Sequence, residues 1–268
     1  MNSFNLLRCF KICFLAGLLG GALACASRPP AEPEASSKPE AARPVGELIA
    51  EADKLYGQRE DLARVRESIA LLRRARAADL SNYEAAWKMA RDCYYLASHT
   101  PDKNESDTVF RQGVAAGQEA VKLQPNKPDG HFWLGANLGA RAENQEVLTA
   151  VTSVGDIRRE METVLKLDEG YQSGSAYMAL GQLEEEVPET FGGDHKKAAE
   201  LMEKGLQFGP NNALLRLHLA EVYYDLKRPD DARKQLNTIL SMPVDPEYVP
   251  EDKEAKEKAK KMLEEHRG

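Results

Sequence analysis

Between Pro210 and Val244 the chain spends 34 residues placing bulky and small side chains at fixed helical offsets. The first half carries Arg216, Leu219, Ala220 and Tyr223; the second carries Ala232, Leu236 and Ile239. Steps of three and four residues put such side chains on one face of an α-helix. Ala220 and Ala232 are small where their neighbours are large, which two helices need where they cross closely. One such pair cannot bury its apolar face alone, so the pattern demands neighbours of its own kind. No other feature limits the fold as strongly.

The neighbours are present upstream. Tyr177, Leu180 and Gly181 precede Ala198, Met202, Gly205 and Pro210. His131, Leu134, Gly135 and Leu138 precede Ile157, Met161 and Val164. Trp87, Ala90 and Tyr94 precede Gly113, Gly117, Ala120 and Pro125. Residues 47–80 read as a degenerate first unit, with Ser68, Leu72 and Ala75 on its second helix. The spacing is that of tetratricopeptide repeats. It predicts an all-α, TPR-like solenoid of about five helix pairs over residues 45–268, closed by a C-terminal capping helix, "PEDKEAKEKAKKMLEEHRG". The wealth of Ala, Leu, Glu and Lys and the lack of period-two alternation agree with this. Extra residues at His99–Thr108, Glu143–Gly155 and Pro188–Asp194 lie between paired helices, where they are expected to build a ridge on one edge of the stack.

The stretch "VPETFGGD" occupies the last of these insertions. A phosphate cradle would need a preceding strand and a Gly-Lys-Ser/Thr end or a GxGxxG spacing. A metal loop would need a second His or carboxylate at ligand spacing from Asp194 and His195 on a definable face. The chain offers neither, so a turn is the favoured reading. Pro188 stops one helix, Gly192 and Gly193 supply unusual backbone angles, and Asp194 caps the next helix. Thr190 and Phe191 form an apolar loop tip, or a plug folded back on the repeats.

The first residues are of another kind. "MNSFNLLRCFKICFLAGLLGGALAC" has a basic start at Arg8 and Lys11, an apolar run and small residues before Cys25. It reads as a bacterial secretory leader over residues 1–24. Cys25 would become the acylated first residue, with ordinary cleavage after Ala24 as the alternative. Residues 25–44, rich in Pro, Ala, Ser and Glu, read as a disordered tether. The expected location is the periplasm, on a lipid anchor, with the outer membrane favoured because Ala26 rather than Asp follows the Cys. Losing residues 1–24 removes two basic residues and no acidic one, so the net charge falls from −7 to −9. That balance argues against nucleic acid.

Little points to chemistry. Beyond Cys25 the only cysteine is Cys93, read as a small buried residue. His131, His195, His218 and His266 are scattered, and Glu184-Glu185-Glu186 reads as a solvated face. No catalytic residue, metal ligand or cofactor is expected. Trp87 and Trp133 read as packing residues. Tyr95 and Tyr224 each follow a core tyrosine and are placed toward a groove, as candidate partner contacts alongside Thr190 and Phe191.

Three stretches also carry a family resemblance: "GHFWLGANLG" at 130–139, "VTSVGDIRREMETVLKLDEGYQSGSAYMALGQLEEEVPETFGGD" at 151–194, and "NNALLRLHLAEVY" at 211–223. Over about residues 113–240 the chain resembles the TatT family, the tetratricopeptide-like T component of some TRAP transporters. The resemblance implies a non-catalytic adaptor for a periplasmic solute-binding protein and a membrane permease, working as a homo-oligomer. A general cell-envelope scaffold unrelated to transport is the alternative.

Overall fold

A computed structural model describes residues 43–143 and 147–266 of the chain. The leader, Cys25 and nearly all of the tether lie outside the described residues. Among the described residues are eleven α-helices, a 3-10 turn at Glu189–Phe191 and no strand. The helices pair in chain order. α1 (Val45–Tyr56) packs on α2 (Leu62–Ala78), and α3 (Tyr83–His99) on α4 (Lys103–Leu123). α5 (Pro128–Glu143) packs on α6 (Val147–Leu167), and α7 (Tyr171–Glu186) on α8 (His195–Phe208). α9 (Ala213–Asp225) packs on α10 (Pro229–Ser241), and α11 (Val249–Glu265) follows. The described residues form a TPR-like α-solenoid of five pairs with a closing helix.

Local chemistry sets the boundaries. Asp61, Asn82, Asp102, Asp194 and Asn212 are N-caps whose side chains accept orphan backbone amides of the helices that follow. Pro229 and Pro250 stand in the first turns of α10 and α11, where no amide is needed. Parts of two insertions are helix: α4 starts at Lys103 and α6 at Val147, and each runs for 21 residues.

The crossings use the small residues of the repeat. A Cβ on Gly181 would lie 2.7 Å from Met202 Cγ, so α7 and α8 meet there without a side chain between them. Ala220 and Ala232 are fully buried between α9 and α10. Gly181→Leu should overpack its crossing at a cost of about 1–3 kcal/mol. Melting followed by circular dichroism checks this; an unchanged midpoint would refute the assigned register.

First helices touch one another along the stack: α1 with α3, α3 with α5, α5 with α7, α7 with α9. Second helices reach the flanking first helices instead. In a curved stack the row that closes up is the inner one, so the odd-numbered helices form the inner row and the even-numbered ones the outer. α11 packs on both α9 and α10 through Ala255 and Ala259, which are buried. The closing helix thus leans on the last inner helix instead of merely extending the stack. No helix among the described residues is long and apolar enough to cross a membrane.

Candidate functional site

The first turn of α11 reaches the opposite end of the solenoid. Arg59, in the turn between α1 and α2, donates from Nε to Glu251 Oε1 at 2.8 Å and from Nη2 to Glu251 Oε2 at 2.7 Å. The same Nη2 donates to the Glu247 carbonyl at 2.7 Å. Beside this fork, Lys253 pairs with Glu60 at 2.7 Å and Glu254 lies 3.6 Å from His99 Nε2. Tyr248, just before α11, donates to Gln172 Oε1 at 2.8 Å, at the start of α7. A short stretch of the C-terminal segment therefore bridges α7, the α1–α2 turn and the end of α3.

What it covers is an aromatic and basic cluster. The Arg59 guanidinium lies 5.1 Å from the Tyr56 ring centre and 5.8 Å from that of Tyr95. Arg91 sits 3.7 Å above Tyr56 from α3. Tyr95 stacks on His99 at 4.0 Å and meets Tyr56 edge-on. Cations on tyrosine faces are favourable and become more so as water is excluded. The side chain of Arg59 is only 7% exposed. Burial pulls its charge the wrong way, but the hydrogen bonds and charge of Glu251 outweigh this and hold its pKa above the ordinary value. Burial, reinforced by Glu251, pushes the Tyr95 hydroxyl up to about 12.

Of the sequence candidates, Tyr95 belongs to this cluster and is buried by it. Tyr224 lies elsewhere, half-buried and stacked on His266 of the C-terminal segment at 3.8 Å. Thr190 and Phe191 sit in the loop between α7 and α8, with Phe191 55% exposed. The loop is held by its backbone. The amides of Phe191 and Gly193 donate to the Pro188 carbonyl, and that of Asp194 to the Glu184 carbonyl at 2.9 Å. Gly192 has φ +97°, and a Cβ on Gly193 would lie 1.7 Å from the Val187 carbonyl oxygen. Asp194 accepts from the amides of Lys196 and Lys197.

The acidic run corrects an expectation. Glu184 is not solvated: it is 1% exposed and accepts from Arg158 at 2.6 Å and Lys197 at 2.7 Å. These join α6, α7 and α8 beneath the loop. Burial pulls its carboxyl upward, yet the two hydrogen bonds win and hold it below the usual range. Glu185 sits among acids instead. Burial first, then Glu221, Asp225 and Glu186, push its carboxyl up to about 8. The fold thus holds a proton there that the unfolded chain releases near pH 4.5. Stability is lost as pH rises from about 4.5 to about 8, and the loss is complete above that. Glu185→Gln should therefore raise the melting midpoint at pH 9 and leave it nearly unchanged at pH 4. An equal shift at both values would refute the assignment.

The histidines are each engaged separately. His131 is buried, with Nδ1 2.6 Å from Glu160 Oε2 and Nε2 2.9 Å from the Pro125 carbonyl. His218 meets Glu221 at 2.8 Å, and His195 lies 3.7 Å from Asp225. Cys93 is fully buried, and burial pushes its thiol well up. Among the described residues no group of His, Cys, Asp and Glu could hold a metal ion.

The family model described as Regulator of microtubule dynamics protein 1-3 matches residues 48–267. The chain belongs to this family. Regulator of microtubule dynamics protein 3 of Rattus norvegicus is 21% identical over 212 residues, covering 73% of this chain and 44% of that protein. The chain thus spans less than half the length of that relative. Among solved structures, a thermophilic TPR protein of Thermus thermophilus is 17% identical with a TM-score of 0.62, covering 82% of this chain and 98% of that one. Pseudomonas aeruginosa pilF is 14% identical with a TM-score of 0.54, covering 82% and 92%. These two likenesses concern the fold.

Membership of the microtubule-regulator family overturns the TatT resemblance and the transport adaptor role drawn from it. The physical reason lies in the residues that carried it. Gly181 is a helix crossing, and the Gly-Gly-Asp stretch is a backbone turn with an N-cap. Both serve the stacking of helix pairs, which any such solenoid must solve. The periplasmic location and the envelope-scaffold alternative are overturned by the same family match. The clasp itself was missed because Arg59 and Glu251 are 192 residues apart. No local pattern links an arginine in "YGQREDL" to a glutamate in "VPEDKE".

Proposed function

We propose that this chain is a helical-repeat docking protein, without chemistry of its own, that alters microtubule dynamics by binding a component of the microtubule. The observation that carries this reading is the span of the family match. Residues 48–267 are the whole repeat body, so what the chain has in common with the microtubule regulators is the scaffold itself. The scattered, internally paired histidines and the buried Cys93 are in keeping with a binding role. The test is to add the purified full chain to growing microtubules, follow growth and shortening by light microscopy, and sediment the polymer. Saturable co-sedimentation with altered rates is the expected result. A chain that neither sediments with the polymer nor changes either rate, even in large excess, would overturn the proposal.

Thr190, Phe191 and Tyr224 remain proposed partner contacts, and Tyr95 one only when uncovered. Homo-oligomerisation is proposed too, and analytical ultracentrifugation of the full chain tests it. For the N-terminal residues we keep the reading of a leader at 1–24, a tether at 25–44 and acylation at Cys25. Mass spectrometry of the protein from its own cells decides: a chain beginning at an acylated Cys25 supports this, and an intact Met1 refutes it.

A further inference from the structure

We infer that the corner formed by Tyr56, Arg59, Tyr95 and His99 is a receptor for the first two turns of an acidic helix, which this chain fills with its own α11 and a partner helix can take over. The inference rests on the docking role proposed above and names the chemistry of the partner segment.

The contacts define what fits. Glu251 supplies both oxygens to the Arg59 fork, Lys253 meets Glu60, and Glu254 faces His99. The occupant must therefore offer Glu-x-Lys-Glu across the first two turns of a helix, preceded by a free carbonyl in the place of Glu247. Negative charge in a first turn also suits the helix dipole. The corner cannot stay empty at no cost. Arg91 has Asp92 at 2.9 Å and Asp53 at 3.5 Å, whereas Arg59 has its fork filled by Glu251. Withdrawing Glu251 leaves the buried Arg59 charge between two tyrosine rings, so a carboxylate has to replace a carboxylate.

The occupant is held unevenly along its length. Beyond Glu254, α11 is fixed by apolar packing of Ala255, Ala259, Met262 and Leu263 on the last pair. Its first two turns meet the far corner through ion pairs and hydrogen bonds. The segment from Met242 to Tyr248, leading into it, is not helical. Tyr248 leans on Gln172, which with Ser173 is held at positive φ, 49° and 54°. Such angles are unfavourable for side chains of this kind. The end that carries the recognition chemistry is the end that can leave.

The test uses a fluorescein-labelled peptide with the sequence of residues 243–265 and fluorescence anisotropy on the full chain. Wild type should bind it weakly, because its own segment competes. The double variant Glu251→Ala/Glu254→Ala, with a weakened internal occupant, should bind at least about tenfold more tightly, a shift of about 1.4 kcal/mol. Adding Arg59→Gln should abolish that gain, and a peptide with arginine in place of Glu251 should not bind. Circular dichroism confirms that each variant keeps its helix content. Should Arg59→Gln fail to fold, the salt dependence of peptide binding to the double variant serves instead, with weakening from low to high salt expected. Equal affinity of wild type and double variant would overturn the inference, as would binding indifferent to Arg59 or to salt, or dimers formed by exchange of α11. Peptide binding without any effect on microtubules would leave this receptor standing and remove the microtubule role.

Discussion

Arg59→Ala should destabilise the fold by about 3 kcal/mol, and Glu251→Ala by a similar amount, because each leaves the other's charge in a largely buried place. For a chain of this size, each kcal/mol moves the melting midpoint by about 2–4 °C, so a fall of about 6–12 °C is expected. The two losses should not add. In a double-mutant cycle the second change finds no partner left to strand, and a coupling of about 2 kcal/mol is expected. Lys253→Ala is the contrast. Both members of its pair with Glu60 are more than half exposed, and such pairs contribute about 0–1 kcal/mol. Denaturant melts of the four cycle members and Lys253→Ala check this. Additive losses would mean that Arg59 acts by packing on Tyr56 and Tyr95, with the Glu251 fork incidental.

Gly174→Ala should cost about 3 kcal/mol. The residue has φ +78°, where a Cβ costs about 1–2 kcal/mol by itself. That Cβ would also lie 2.4 Å from the Gly205 carbonyl oxygen, so α7 and α8 would have to part, which adds about 1–3 kcal/mol. Gly192→Ala separates the two effects. Its φ is +97°, but nothing lies within 4 Å of its missing Cβ, so only the backbone cost of about 1 kcal/mol remains. Thermal melts of both variants should show the first losing two to three times as much as the second. Equal losses would place the whole effect in the backbone angle and none in the helix contact.

The helix pairs were legible because their signal is local. Leu219, Ala220 and Tyr223 announce one packed helix face, and Asp194 announces a helix start at the next residue. Burial of individual charges was not legible in the same way. Glu184, Glu185 and Glu186 are identical letters in a row, yet one is buried between Arg158 and Lys197, one is half-buried among acids, and one is exposed. Those fates depend on which neighbouring helix faces each, a property of the stack and not of the run. Tyr95 was placed on an inner helix facing a groove, but the groove's occupant lies 156 residues further on, beyond any local reading. The family resemblance failed for a related reason: it rested on residues that serve helix packing, and these recur wherever pairs of helices stack.

The clasp also orders events on the ribosome. Arg59 leaves early and Glu251 follows 192 residues later. At about 5–20 residues per second this delay is on the order of 10–40 s. Throughout it the first two repeats can fold by neighbour contacts alone, with the Tyr56–Arg59 corner open to water. A nascent chain therefore displays, for many seconds, a basic aromatic corner that the finished protein covers. Any acidic helix nearby meets that corner without competition during this interval, which gives chaperones or co-translational partners access denied to them once synthesis ends.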